Sequence, residues 1–94
     1  MLDKKTFKVG KSIKYQILVI HDWPKEWRDY DGFCESPRAK RPKIYIRGSL
    51  KKERFITILA HELAHAFFWD EPESRIEPFA EALIKMMKEG NLLK

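Results

Sequence analysis

The sequence has little of what anchors or cross-links a protein. Its 94 residues include one cysteine, Cys34, so neither an internal disulfide nor a zinc cage made of cysteines is expected. No apolar run approaches the roughly 18 residues that a membrane-spanning helix needs. The first ten residues carry lysines but lack the apolar segment of a secretory signal. These absences predict a cytoplasmic protein without a membrane contact.

The apolar content is sufficient for one hydrophobic core. Hydrophobic residues make up 44% of the chain and aromatic residues 13%, which excludes the low apolar content of a disordered protein. A chain of 94 residues is too short for two ordinary cores. We therefore predict a single domain over residues 1–94.

Positive charge is concentrated before residue 61. Residues 1–60 hold 15 Lys and Arg against 7 Asp and Glu, whereas residues 61–94 hold 4 against 7. Such a surface can attract nucleic acid or an acidic protein segment, or it can keep a small protein soluble. No zinc finger, RNA-recognition or helix-turn-helix motif supports nucleic acid as the partner. The densest basic stretch comprises Arg38, Lys40, Arg41, Lys43, Arg47, Lys51, Lys52 and Arg54.

Two segments have the alternation of apolar and polar residues that is typical of strands. Residues 13–20 read IKYQILVI and residues 43–47 read KIYIR, with apolar side chains two apart. A similar alternation before residue 10, followed by Gly10-Lys11, predicts a hairpin with a two-residue turn. Residues 21–42 are expected to be irregular, apart from a short helix that Pro24 opens and that ends by residue 32.

Two helices are predicted in the second half of the chain. Residues 50–69 are apolar on almost every side from residue 55 onward, which indicates a central helix that Ser49 would cap. A second helix is predicted over residues 74–89, where Ser74 and Glu77 have the spacing of a capping box. Its apolar stripe comprises Ile76, Phe79, Ala80, Leu83 and Met87.

The first of these helices contains the pattern H-E-x-x-H, from His61 to His65. Residues four apart lie one turn apart on the same helical face, so both imidazoles can reach one metal ion. Glu62 lies on the flank of that face, where it can contact a water on the metal rather than the metal itself. Two core histidines with ordinary hydrogen bonds are the simpler alternative.

Two histidines do not complete a catalytic zinc site, which usually has three protein ligands and one open position. Neither cysteine nor histidine follows His65, so the third ligand is a carboxylate or His21. On the last helix, Glu73 projects within the apolar stripe and Glu77 at its edge. We therefore place Glu73 first and Glu77 second as the remaining ligand.

The segment HELAHAFFWDEPESRIEPFAEAL resembles the active-site core of zincin metallopeptidases of the gluzincin type. The resemblance is closest to small single-domain versions from phages and prophages, and extends to the SprT-like and ImmA-like groups. It covers residues 40–88 well and residues 6–35 only loosely. The sequence departs from the SprT-like and metzincin patterns, because it has no third histidine, and Glu71 stands where metzincins place their third ligand.

The resemblance implies an α+β fold of the minimal zincin type. A small N-terminal sheet, consisting of a hairpin and a short edge strand at residues 43–47, would pack on the H-E-x-x-H helix and on a C-terminal helix. It also implies one Zn²⁺ ion held by His61, His65 and Glu73, with Glu62 as the general base. The strand at 43–47 would pair with an extended peptide substrate.

The expected activity is zinc-dependent hydrolysis of peptide bonds in a peptide or protein substrate. A further donor usually stabilises the oxyanion in such a reaction, and the sequence leaves Tyr45, His21, Tyr30 and Arg47 as candidates. Two other functions stay open. The chain can be a zinc-binding interaction module without activity, or a basic protein associated with nucleic acid.

Overall fold

The computed structural model describes the backbone of residues 2–9 and 13–90 and the side chains of residues 13–90. This part of the chain forms one four-stranded sheet and two α-helices, which confirms the α+β class. Neither helix is long and apolar enough to cross a membrane. The elements are β1 Leu2–Val9, β2 Ile13–Ile20, β3 Gly32–Cys34, β4 Lys43–Arg47, α1 Lys52–Phe67 and α2 Glu73–Glu89.

The sheet has the order β1-β2-β4-β3. β1 and β2 form the predicted antiparallel pair, while the predicted turn at Gly10-Lys11 lies outside the described residues. β4 runs parallel to β2 and antiparallel to β3. The prediction that residues 43–47 form an edge strand is therefore wrong, because both sides of β4 are hydrogen-bonded. The three residues of β3 are too few to show a strand period in the sequence.

One face of the sheet packs against α1. Tyr15, Ile44 and Ile46 are fully buried there, together with apolar side chains of α1 such as Ile58. The helix approaches β3 closely, since a Cβ atom on Gly32 would lie 2.7 Å from Cγ2 of Ile58 and 2.8 Å from a backbone oxygen. Only glycine fits at this position. The missing side chain allows α1 to lie directly against the edge strand β3.

The opposite face of the sheet carries an aromatic cluster. The rings of Phe33 and Tyr45 lie 4.6 Å apart, and Trp27 contacts both of them. Trp23 joins the cluster and donates a hydrogen bond from Nε1 to the carbonyl oxygen of Trp27 at 2.8 Å. The segment before β3, including the single helical turn Lys25–Trp27 after Pro24, therefore folds over this face.

Both helices begin without the predicted side-chain caps. α1 has Lys51 at its N-cap position and α2 has Pro72, and neither side chain caps a backbone N–H. Ser49 lies in the turn before α1, and Ser74 lies inside the first turn of α2. Both capping predictions are wrong, because the last extended residues before the helices are residues 51 and 72. α1 therefore begins two residues later than expected, and α2 begins one residue earlier.

α2 packs along α1, and an ion pair between Glu53 and Lys88 joins the start of one helix to the end of the other. The buried residues of α2 are Ile76, Ala80 and Ile84. Phe79 was expected in this stripe but is 47% exposed. The buried stripe is therefore rotated from the predicted one, because α1 covers the side of α2 that includes Ile84.

Candidate metal centre

The helical spacing of His61 and His65 brings their Nε2 atoms to within 3.1 Å of each other. The rings meet edge to face with centroids 4.8 Å apart. Both side chains keep access to solvent, with 26% and 21% of their surface exposed. The two imidazoles thus present a pair of nitrogens at the surface of the helix, as the pattern predicts.

Glu73 reaches the same point from the start of α2. Its Oε1 lies 2.8 Å from Nε2 of His61, and its Oε2 lies 3.2 Å from Nε2 of His65. The five residues between the helices reverse the chain, which places the first residue of α2 against the histidine pair. One ligand atom from each of the three residues lies within 4.8 Å of the others. This group, His61, His65 and Glu73, is the candidate metal centre.

The donor set fits a divalent metal ion. Three ligand atoms at 2.0–2.1 Å from a tetrahedral ion lie about 3.3 Å from one another. The contacts of 2.8 to 3.2 Å involve both oxygens of Glu73, and one ligand atom from each residue lies within 4.8 Å of the others, so the side chains must adjust to share one ion. Two imidazoles and a carboxylate suit zinc and several other transition metals. The group can therefore hold a metal ion.

The protonation state of His65 also suits metal binding. Burial lowers the pKa of His65; the Glu73 carboxylate opposes this shift and the neighbouring His61 adds to it. A lowered pKa favours the neutral imidazole near pH 7, and the neutral ring is the form that binds a metal.

Glu62 is the one buried charged residue among those described, with 7% of its surface exposed. Burial raises the pKa of its carboxyl to about 7, and the negative charge of Glu73 adds to the shift. A carboxyl with a pKa near 7 can both accept and release a proton under physiological conditions.

This pKa predicts how Glu62 affects stability in the metal-free protein. Because the carboxyl titrates at about 7 when folded and near 4.5 when unfolded, the folded state binds more protons between these values. The free energy of unfolding should therefore fall with rising pH across this window, by up to about 3 kcal/mol.

Glu62→Gln should remove this fall, so the variant should gain stability over the wild type as pH rises from 4.5 to 7. Urea unfolding of both proteins in the presence of a chelator, at several pH values, measures the difference. A difference that is constant with pH would contradict the raised pKa.

At the end of β3, two side chains donate hydrogen bonds to one carbonyl oxygen. The Tyr15 hydroxyl donates to the carbonyl oxygen of Glu35 at 2.9 Å, and the Cys34 thiol donates to the same oxygen at 3.3 Å. Burial and the nearby charge of Glu62 raise the pKa of Cys34 to about 12, although its hydrogen bond with Tyr15 opposes this. The thiol therefore stays protonated and is unsuited to bind the metal. The sequence does not predict these hydrogen bonds, since nothing in the pattern pairs residue 15 with residue 35.

The other predicted ligands are not brought to the centre. Glu77 is exposed one turn further along α2, and Glu71 forms an ion pair with Arg75 at 3.6 Å. The ring of His21 contacts Gly48, where a Cβ atom would lie 2.6 Å from Nδ1. Gly48 precedes α1, whereas His61 lies nine residues after the first residue of that helix, or about 14 Å along its axis.

The predicted oxyanion donors are also elsewhere. Tyr45 belongs to the aromatic cluster on the sheet face away from α1. Arg47 lies 3.9 Å from a carboxylate oxygen of Asp31, and Tyr30 is exposed next to the same cluster, where its carbonyl oxygen accepts a hydrogen bond from Trp23. β4 cannot pair with a peptide as predicted, because β2 and β3 occupy both of its sides.

A groove between α1 and α2 has a volume of about 480 Å³, and every described residue that lines it is apolar. It therefore offers no acid, base or metal ligand, and the chemistry of the described residues is concentrated at the metal centre.

Comparison of the chain with models of known protein families, with curated proteins and with solved structures finds no match.

Proposed function

We propose that the protein is a zinc-dependent metallopeptidase. The observation that carries the proposal is the convergence of His61, His65 and Glu73, with a buried carboxyl, Glu62, next to His61 in the chain and its pKa raised to about 7. A metal-binding group needs no such neighbour merely to hold an ion. A general base, in contrast, works best with a pKa near the working pH.

The three ligands and Glu62 have separate roles in this proposal. His61, His65 and Glu73 hold the ion, which supplies polarisation of the scissile carbonyl and a lowered pKa for water. Glu62 accepts a proton from the attacking water and returns it to the leaving amine, so that one carboxyl serves as base and then as acid.

The free edge of β3 supports a peptide as substrate. β3 is the last strand of the described sheet and packs directly against α1, which carries the two histidines and Glu62. An extended peptide can add a strand to such an edge through backbone hydrogen bonds. In this proposal the peptide substrate pairs with β3 and not with β4, the strand that the sequence suggested.

A metal-binding module without activity is the second candidate. It is favoured by the finding that none of the expected oxyanion donors, Tyr45, His21, Tyr30 and Arg47, reaches the metal centre. Loss of one such donor typically slows acyl transfer by a factor of about 10²–10³, so the proposed peptidase should be slow.

The purified protein should bind one zinc ion per chain and should cleave peptides in a pooled peptide library. A strong chelator should stop cleavage, and added zinc should restore it, because the ion supplies the electrophile. Elemental analysis and mass spectrometry of the digest measure both properties. Stoichiometric zinc without any chelator-sensitive cleavage would favour the inactive module, and absence of bound metal would contradict both.

A further inference from the structure

The basic stretch of the sequence separates into two groups in the fold. Near the start of α1, Arg47 and Arg54 lie 3.9 and 3.0 Å from carboxylate oxygens of Asp31, so their charge is locally balanced. Lys40 and Arg41 instead line a groove between the start of β2 and residues 37–42, together with Lys14. We call this the basic groove; its volume is about 440 Å³.

The charge of the basic groove is not balanced from within. No carboxylate in the described part of the chain lies within ion-pair distance of Lys14, Lys40 or Arg41. The register of the sheet also places Lys8 opposite Lys14. Cations gathered in a concave surface produce a positive potential that attracts an anionic group.

An ion pair links the segment that lines the basic groove to the connection between α1 and α2. Residues 36–42 come after β3, whose residue Gly32 lies against Ile58 of α1. In this segment Nη2 of Arg38 is 3.8 Å from a carboxylate oxygen of Asp70, which precedes the ligand Glu73 by three residues. Residues 36–42 therefore line the basic groove and also contact the connection between α1 and α2, which leads to Glu73.

We propose that the basic groove binds an acidic segment of the protein substrate. This inference rests on the proposed function and adds a class of substrate to it. A peptide fits the groove better than a nucleic acid does, because Ile13, Pro37 and Pro42 give it apolar walls for side-chain methylenes. Sites for single-stranded nucleic acid use exposed aromatic rings, and none of the described residues that line this groove is aromatic.

The test measures binding of fluorescent peptides to the zinc-loaded Glu62→Gln protein, which prevents turnover. The peptides share one length and differ only in a run of Glu, Gln or Lys. The Glu peptide should bind at least about tenfold more tightly than the Gln peptide at low salt, and this advantage should shrink as salt is added. The Lys peptide should bind most weakly.

A pair of charge variants locates the site. Lys40→Glu with Arg41→Glu should weaken binding of the Glu peptide about tenfold. The control, Lys51→Glu with Lys85→Glu, makes the same change in net charge at exposed positions outside the groove and should change binding less than about twofold. Circular dichroism verifies that both proteins are folded.

Three results would overturn the inference. These are equal affinity for the Glu and Gln peptides, equal loss in both charge variants, and tighter binding of an oligothymidylate that only the groove variant loses. The last result would assign the groove to nucleic acid. The assay needs no catalysis, so it separates the two proposals. Cleavage of neutral peptides without preference for acidic ones would refute this inference alone, whereas groove-dependent binding without any cleavage would refute the peptidase.

Discussion

Glu62→Gln should reduce peptide hydrolysis by about 10³-fold while zinc remains bound with nearly unchanged affinity. The amide of glutamine has almost the shape of the carboxyl but cannot accept the proton of water, and general base catalysis contributes roughly 10²–10⁴-fold. Zinc affinity should persist because the described ligand group consists of His61, His65 and Glu73 and does not include Glu62. Initial rates with a peptide identified in the library screen, and zinc content by elemental analysis, measure the two effects.

Glu77→Gln is the matched control for this prediction. It removes one negative charge from an exposed position of α2, and its activity should stay within about twofold of the wild type. Retention of most activity by Glu62→Gln would rule out Glu62 as the general base. Loss of zinc together with activity would instead assign it a role in holding the ion.

Glu73→Ala should weaken zinc binding by at least about 100-fold and abolish hydrolysis. The change removes the only carboxylate of the described ligand group and leaves two imidazoles, whereas catalytic zinc sites usually need three protein ligands. Even loss of a residue that only orients a ligand costs 10–100-fold in affinity, so loss of the ligand itself should exceed that. Competition with a chromophoric chelator measures the affinity.

Glu77→Ala distinguishes the two carboxylates that the sequence left as alternatives. It should leave the dissociation constant of zinc within about threefold, since its position one turn further along α2 is exposed and outside the group. Strong loss of zinc from Glu77→Ala, with little loss from Glu73→Ala, would transfer the ligand role to Glu77. His61→Ala should lose both zinc and the stability that the ion adds to the folded state.

The candidate metal centre could be predicted from the sequence to an unusual extent, because its geometry is mostly local. Two histidines four residues apart on a helix must face the same way, and Glu62 must then lie on their flank. Glu73 could be favoured over Glu77 by its projection on the last helix, but nothing local requires the two helices to meet there. Contact between Glu73 and both histidines depends on the five-residue connection and on the packing of α2 against α1.

Only the tertiary structure decided which strand forms the edge of the sheet and which side chains surround Glu62. β3 has three residues and no sequence period, and its place beside β4 depends on the close approach of α1 to Gly32. The wrong expectation that β4 is an edge strand has this cause. The positions of Tyr45 and His21 away from the histidines have it too, because the face or end of the sheet on which a residue lies is set by tertiary contacts. Helical spacing is set by bonds within one turn of the chain, whereas strand order and facing depend on contacts between distant residues.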